Sequence, residues 1–350
     1  MLRFIEGFEG YGALNELTAG KWTTKSLSGV ALDDTGNARG GRCLVLSQYN
    51  AWVRKSFGGY QADLTVGVRF QFSALPSVAT SICDFQENSS YLYEQVRLYL
   101  RTDGTLLVTR GISTSSANVL CASTQVLAPN TWYYIELQTH FDNSAGTVVI
   151  RVDGETVASA LGVDTIYSGS NTAYHFRLIQ AIYNSTTYPP ITLRFHDLYC
   201  CDGQAGVTGF QGDCRVETLR PTGAGSATDF TASGGSNYAC VDETRFTYDT
   251  DYVESSTLNH QDTYAYQNLP SPLGKVVGVQ VVNVARSDDG GARSIRALAK
   301  SGATTGTGAT AALTQSYAQS AHIFETNPDT SSPWTRPEVD GAEFGVEVAA

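Results

Sequence analysis

Carboxylates at strand spacing are the first residues in this chain that could do chemistry, because a glycosidase needs two acidic groups about 5 to 9.5 Å apart on either side of a sugar. Same-face carboxylates two residues apart would meet that need, as in an E-x-D-x-E run, and no such run occurs. Glu6 and Glu9 have the wrong parity, Glu136 stands alone in its stretch, and Asp249 and Asp251 lack flanking strand pattern, so solvated turn carboxylates are expected. A serine nucleophile would need a positioned base. The five histidines, His140, His175, His196, His260 and His322, are scattered, and no G-x-S-x-G elbow is present. Each is expected at the surface or a strand edge. The glycine-rich segments lack the lysine and the strand-to-helix setting of a phosphate loop. The resulting expectation is a chain that is not an enzyme and carries no cofactor.

Sugars also bind by stacking on aromatic faces, and the chain has 19 tyrosines and 4 tryptophans. Tyr49, Trp52 and Tyr60, or Tyr91 and Tyr93, fall in loop-like segments where a carbohydrate platform could form; the plainer expectation is that they pack a sandwich edge or a subunit interface. Seven cysteines are present, Cys43, Cys83, Cys121, Cys200, Cys201, Cys214 and Cys240. In a reducing cytosol they read as small buried hydrophobes. No zinc site is expected, since the adjacent Cys200 and Cys201 do not make a C-x-x-C chelate. A sharper expectation is a disulfide from Cys200 or Cys201 to Cys214, formed once the protein reaches an oxidising exterior.

The elements that must position these residues are strands. LTVGVRFQF, from Leu64 to Phe72, alternates strictly, putting Leu64, Val66, Val68, Phe70 and Phe72 on one face and leaving the other wet. Asp103-Gly104 and Asp153-Gly154 each join two strand-like runs with the dipeptide of a type I′ hairpin turn. Trp132 to Phe141, FRLIQAI and ITLRFHDLY supply further strands, and no segment before Gly203 has a helical period. Hairpin-linked, single-faced strands predict an all-β fold, an antiparallel β-sandwich of jelly-roll type, followed by a second, smaller β-rich domain. The division is expected near Asp202, giving domains 1–202 and 203–350, with 203–243 a loop-rich bridge. In the second domain, Val276 to Arg286 reads as a central strand with IRALAK as its antiparallel partner. Gly302 to Ala312 reads as a flexible loop or hairpin tip, Pro337 to Asp340 as a helical turn, and Glu343 to Val348 as the closing strand.

With 350 residues the chain is long enough for two cores. Its formal charge is −11 with a pI near 4.9, and no Lys/Arg cluster offsets it, so nucleic acid is not an expected partner. No apolar run approaches the ~20 residues of a membrane span, and MLRFIEGFEGYG lacks the apolar core of a signal peptide. A soluble protein made in a cytoplasm is expected.

Several phrases carry a resemblance. GFEGYG, NTWYYIELQTHFDNSAGTVVIRVDGETV and FHDLYCCDG are similar to concanavalin A-like (laminin G-like) domains; FQGDCRVETLRPTGAGS, GGSNYACVDE, TDYVESS and NPDTSSPWTRPEVDGAEFGVEV are similar to the small β-rich C-terminal region of bacteriophage virion proteins that carry such a domain. The resemblance implies a virion structural component of the tail, neck, fibre or capsid-decoration class, assembled in the bacterial host cytoplasm. It implies other virion proteins as partners and a homo-oligomer. Because an edge strand carries unpaired backbone groups, EFGVEV is also expected to add to a sheet edge of an adjacent subunit. His196-Asp197 stands where such sandwiches often carry two consecutive acidic residues, so no calcium site is expected at Asp197. The alternatives are a module binding host-surface carbohydrate and, third, a polysaccharide hydrolase.

Overall fold

The computed structural model describes every residue except 37–38, 89–92, 183–187 and 271–273. Its strands pair antiparallel throughout, and the chain divides into two compact units. The first comprises Met1–Phe8 and Trp22–Val216, the second Glu9–Lys21 and Glu217–Ala350. The division therefore falls after Val216 rather than at Asp202, and a short early segment belongs with the second unit.

Two large sheets make up the first unit. One runs Glu155–Val163, Gly146–Val152, Tyr133–His140, Asp63–Phe72, Leu193–Asp202, Cys43–Leu46, Val30–Asp33, with Leu2–Glu6 also paired to Leu193–Asp202. The other runs Val119–Ala122, Leu106–Arg110, Glu94–Leu100, Thr80–Gln86, Ala173–Gln180, Ala51–Gln61, Thr24–Lys25. The all-β, antiparallel expectation stands, but the two open sheets do not make a simple closed roll of the expected jelly-roll type. The alternation in Leu64 to Phe72 sets which face goes inward: all five apolar residues are buried. Phe85 of the second sheet meets Phe141 edge-on at 5.6 Å and Phe176 at 5.9 Å. Each such ring contributes roughly 1.5–3 kcal/mol by leaving water.

The hairpin at Asp153-Gly154 has both turn residues at positive φ, as type I′ requires. At Asp103-Gly104 only Gly104 is positive, and the loop is longer, closed by Arg101 N–H to the Thr105 carbonyl at 2.8 Å. The face of Asp63–Phe72 expected to be wet is covered at its centre. There Tyr199 lies against Gly67, and the backbone N–H groups of Gln211 and Gly212 reach Glu136 at 3.0 and 2.9 Å. Residues 203–216 thus belong to the first unit.

The second unit has a six-stranded sheet ordered Pro221–Thr228, Gln261–Tyr266, Glu343–Val348, Ser294–Ser301, Thr304–Thr307, with Ala311–Ala312 also on Ser294–Ser301. Glu343–Val348 is paired on both sides, so it offers no edge to a neighbour, contrary to expectation. Val279–Ala285 is not a central strand: its partner is Ala318–Phe324, in a two-stranded ribbon, whereas Ser294–Ser301 sits in the larger sheet. Gly302 and Ala303 turn a hairpin between Ser294–Ser301 and Thr304–Thr307, in keeping with the hairpin-tip reading of Gly302 to Ala312. The helix Arg336–Asp340 opens with a capping box between Thr335 and Glu338, and Val339 joins Trp334, Phe324 and Phe344 in the core.

Candidate functional site

The polar residues of the seven-stranded sheet lie in rows across its strands. Val96, Leu98 and Leu100 alternate with Gln95, Arg97 and Tyr99, and Phe176 and Leu178 with His175 and Arg177. Pairing puts Arg54 opposite Arg177, Arg177 opposite Asp84, Asp84 opposite Arg97, and Arg97 opposite Thr109. The next row places His175 beside Gln86 and Ser56.

Asp84 is fully buried, and two guanidinium groups hold it. Arg177 gives it Nε at 3.0 Å and Nη2 at 2.6 Å; Arg97 gives Nε at 3.0 Å and Nη2 at 2.8 Å. Both Nη2 atoms also reach Glu94 at 2.8 Å. Burial alone would lower the Arg97 pKa, but the charges of Asp84, Tyr99 and Glu94 raise it. Asp84 and Glu94 are thus both taken up by the two guanidinium groups.

Arg54 is the third guanidinium of the face and has no carboxylate of its own. Its Nε is buried without a hydrogen-bond partner, and burial followed by the Arg177 charge lowers its pKa. Its guanidinium lies 5.6 Å from the Trp52 ring, within cation–π range. His175 is only 6% exposed, and neither ring nitrogen has a partner. Burial, then the charge of Arg54, pushes its pKa down to about 4, so the imidazole is neutral at pH 7. Tyr174 packs against it at 4.9 Å, and Tyr60, 59% exposed, stands edge-on to Tyr174 at 5.2 Å.

Of the aromatic candidates read from sequence, Trp52 and Tyr60 lie on one strand, Ala51–Gln61, not in loops. Trp52 joins Arg54, and Tyr60 joins Tyr174 and His175. Tyr93 instead packs near Tyr167, at 6.1 Å, and Tyr49 is half-buried in a turn. Tyr91 lies outside the described residues. Sequence reasoning missed Arg54, Arg97, Arg177, Asp84 and the role of His175. The available signal was polar residues at alternate positions of QVRLYL and YHFRLIQ, where the intervening residues are apolar.

Several single-residue expectations change. Glu6 and Glu136 are buried rather than solvated: Glu6 takes the Phe8 N–H at 2.8 Å and the Trp22 indole N–H at 3.2 Å, and Glu136 the Tyr199 hydroxyl. His175 and His196 are buried rather than at the surface. Asp197, at positive φ, accepts from Val216 N–H at 2.8 Å and Arg39 at 3.1 Å. Cys200 and Cys201 are buried and form no disulfide with Cys214; Cys201 donates to the Gly209 carbonyl. Burial pushes Cys43 up to about 12 and Cys121 to about 11. Among the described residues no three His, Cys, Asp or Glu gather as a metal ion would need, and no helix is long and apolar enough to cross a membrane.

No family model matches this chain, and no curated protein does. Solved structures similar to it include an alginate lyase, at 9% identity and TM-score 0.41 over 57% of this chain and 97% of that one. A cellulose-induced protein shows 15% identity and TM-score 0.40 over 53% and 94%. A mutant sialidase of Trypanosoma rangeli with trans-sialidase activity shows 12% identity and TM-score 0.37 over 56% and 30%. The three similar structures named are thus a lyase, a cellulose-induced protein and a sialidase, each alike to this chain at a TM-score of 0.41 or less. The expected likeness to bacteriophage virion proteins, and with it the expectation of a chain that is not an enzyme, are not borne out by these matches.

Proposed function

We propose that the first unit is a concanavalin A-like sandwich that takes an acidic polysaccharide across the polar face of its seven-stranded sheet. One observation carries this reading: Arg54 brings a partly buried positive charge to the face, while Asp84 and Glu94 are already engaged by Arg97 and Arg177. A sugar carboxylate is a natural complement to a guanidinium, which binds it through two parallel hydrogen bonds. Trp52 and the Tyr60–Tyr174 pair supply ring faces for the apolar side of a pyranose.

Cleavage of the bound chain is a second reading, and His175 favours it. Its imidazole is neutral with both ring nitrogens unpartnered, so it can accept a proton, but burial and the Arg54 charge keep it a weak base. A carboxylate docked on Arg54 offsets part of the charge that depresses His175 and so raises its basicity when substrate is present.

The test is binding and product release on a panel of acidic and neutral polysaccharides, with Arg54→Ala and His175→Gln variants. Acidic chains should bind at least tenfold more tightly than neutral ones, and Arg54→Ala should abolish that preference. His175→Gln should spare binding and lower any turnover. Equal affinity for acidic and neutral chains, unchanged in Arg54→Ala, would refute the reading.

A further inference from the structure

The second unit contains a cleft that the sheet-face reading does not use. Its walls come from the turn Leu14–Thr18, through Glu16 with neighbouring Ala19, from Phe246 and Tyr248, and from Val284, Tyr317, Ala318 and Gln319 of the two-stranded ribbon. The cleft is open to one side and leaves a space of about 10 Å³, room for one water-sized group.

Three half-exposed rings frame it. Tyr248 lies 4.9 Å from Tyr317 and 6.3 Å from Phe246. Tyr248 has φ of 56°, a left-handed conformation rarely adopted by so bulky a residue. Its hydroxyl donates to the buried carboxylate of Glu16, which also takes the Gly12 N–H at 2.6 Å. Outside, Asp249 accepts from the Tyr317 hydroxyl and from Arg286, both at 2.9 Å, and the Arg286 guanidinium lies 5.4 Å from the Tyr317 ring. Tyr317 is thereby held from two sides.

Gln319 provides the observation that points to a ligand. It is only 8% exposed, it lines the cleft, and its Nε2 is buried with no acceptor. A buried donor left unmade costs about 1–3 kcal/mol, so a group that accepts from it is favoured. The cleft offers this donor together with an acceptor, the Glu16 carboxylate. A hydroxyl satisfies both at once, because its oxygen accepts and its proton donates. A bare carboxylate would meet Glu16 as a like charge, and a methyl group would leave Gln319 unsatisfied.

The geometry points to a second carbohydrate site here, for an uncharged pyranose that inserts one hydroxyl between Gln319 and Glu16 and rests its ring on Tyr248 and Tyr317. The site is independent of the sheet face in the first unit. It differs in charge as well, since a carboxylate lies at its floor where the other face presents Arg54.

Saturation-transfer NMR on the full chain with methyl glucoside, methyl galactoside and methyl mannoside tests this directly. At least one should receive saturation, strongest on the protons of one ring face. Gln319→Leu, which keeps the side-chain bulk, should weaken that sugar about five- to tenfold, the cost of one lost hydrogen bond. Tyr317→Phe should change affinity by less than about twofold, because the ring remains. Arg54→Ala should leave the signal unchanged. The proposal is overturned if none of the three sugars receives saturation, or if Gln319→Leu, unfolding at the wild-type temperature, binds as wild type does. Loss in Arg54→Ala with no loss in Gln319→Leu would place all the binding on the first unit and overturn it equally.

Discussion

Burial decides the behaviour of single residues more than their chemical type does. His175 shows this through its pH dependence. Its folded pKa is depressed to about 4, whereas an unfolded histidine titrates near 6.5. Between those values the unfolded chain holds a proton that the folded chain refuses, so stability falls as pH drops from about 6.5 to about 4 and is level outside that window for this group. The full effect is about 3 kcal/mol. Urea midpoints taken at steps from pH 7 to pH 4 should therefore fall less steeply in His175→Gln than in wild type; parallel curves would show that His175 titrates normally. Asp84 presents a different case, a fully buried carboxylate gripped by two guanidinium groups. Asp84→Asn removes the more buried of the two carboxylates that Arg97 and Arg177 share and should cost about 3–5 kcal/mol, read from the unfolding midpoint. A loss below about 1 kcal/mol would mean that solvent already screens the cluster.

At the scale of elements, what the sequence made legible was whatever depended on local periodicity. The alternation of Leu64 to Phe72, the Asp153-Gly154 turn, the turn of helix at Pro337 to Asp340 and the strand Glu343–Val348 all stand in the structure, because each is set by neighbours two to four residues away. Partner choice was not legible. Val279–Ala285 is as apolar as a central strand, yet pairs only with Ala318–Phe324, and nothing in its own residues encodes that. The site failed to show for the same reason: Arg54, Asp84, Arg97 and Arg177 come from four strands and meet only through register. The covered face of Asp63–Phe72 is likewise a long-range event. Gly67 is needed there because a Cβ would come within 2.1 Å of the Tyr199 ring. Gly67→Ala should therefore displace Tyr199 from Glu136, destabilise the first unit by about 1–3 kcal/mol and speed amide exchange at Gln211 and Gly212. Unchanged exchange at those two amides would show that the segment holds without Tyr199.

Across the whole molecule, charge sets how an acidic glycan would reach the first unit. The chain carries a formal −11, whereas the proposed contact rests on one guanidinium that acts over a few ångströms. Repulsion between a net-negative protein and a polyanion is long-ranged, reaching roughly 30 Å at about 10 mM salt but only about 10 Å at about 0.1 M. The Arg54 contact is shorter than either length and survives that change. Raising salt from about 10 mM to about 0.1 M should thus increase the association rate several-fold while dissociation stays nearly constant. Near 1 M, where screening reaches in to about 3 Å, the contact itself weakens and affinity falls. Affinity for an acidic polysaccharide should accordingly pass through a maximum at intermediate salt, and a neutral one should show a flat profile. Stopped-flow or surface-binding rates across that range provide the measurement. A steady decline from the lowest salt upward would mean that a positive surface steers the ligand in and that net repulsion does not govern its approach.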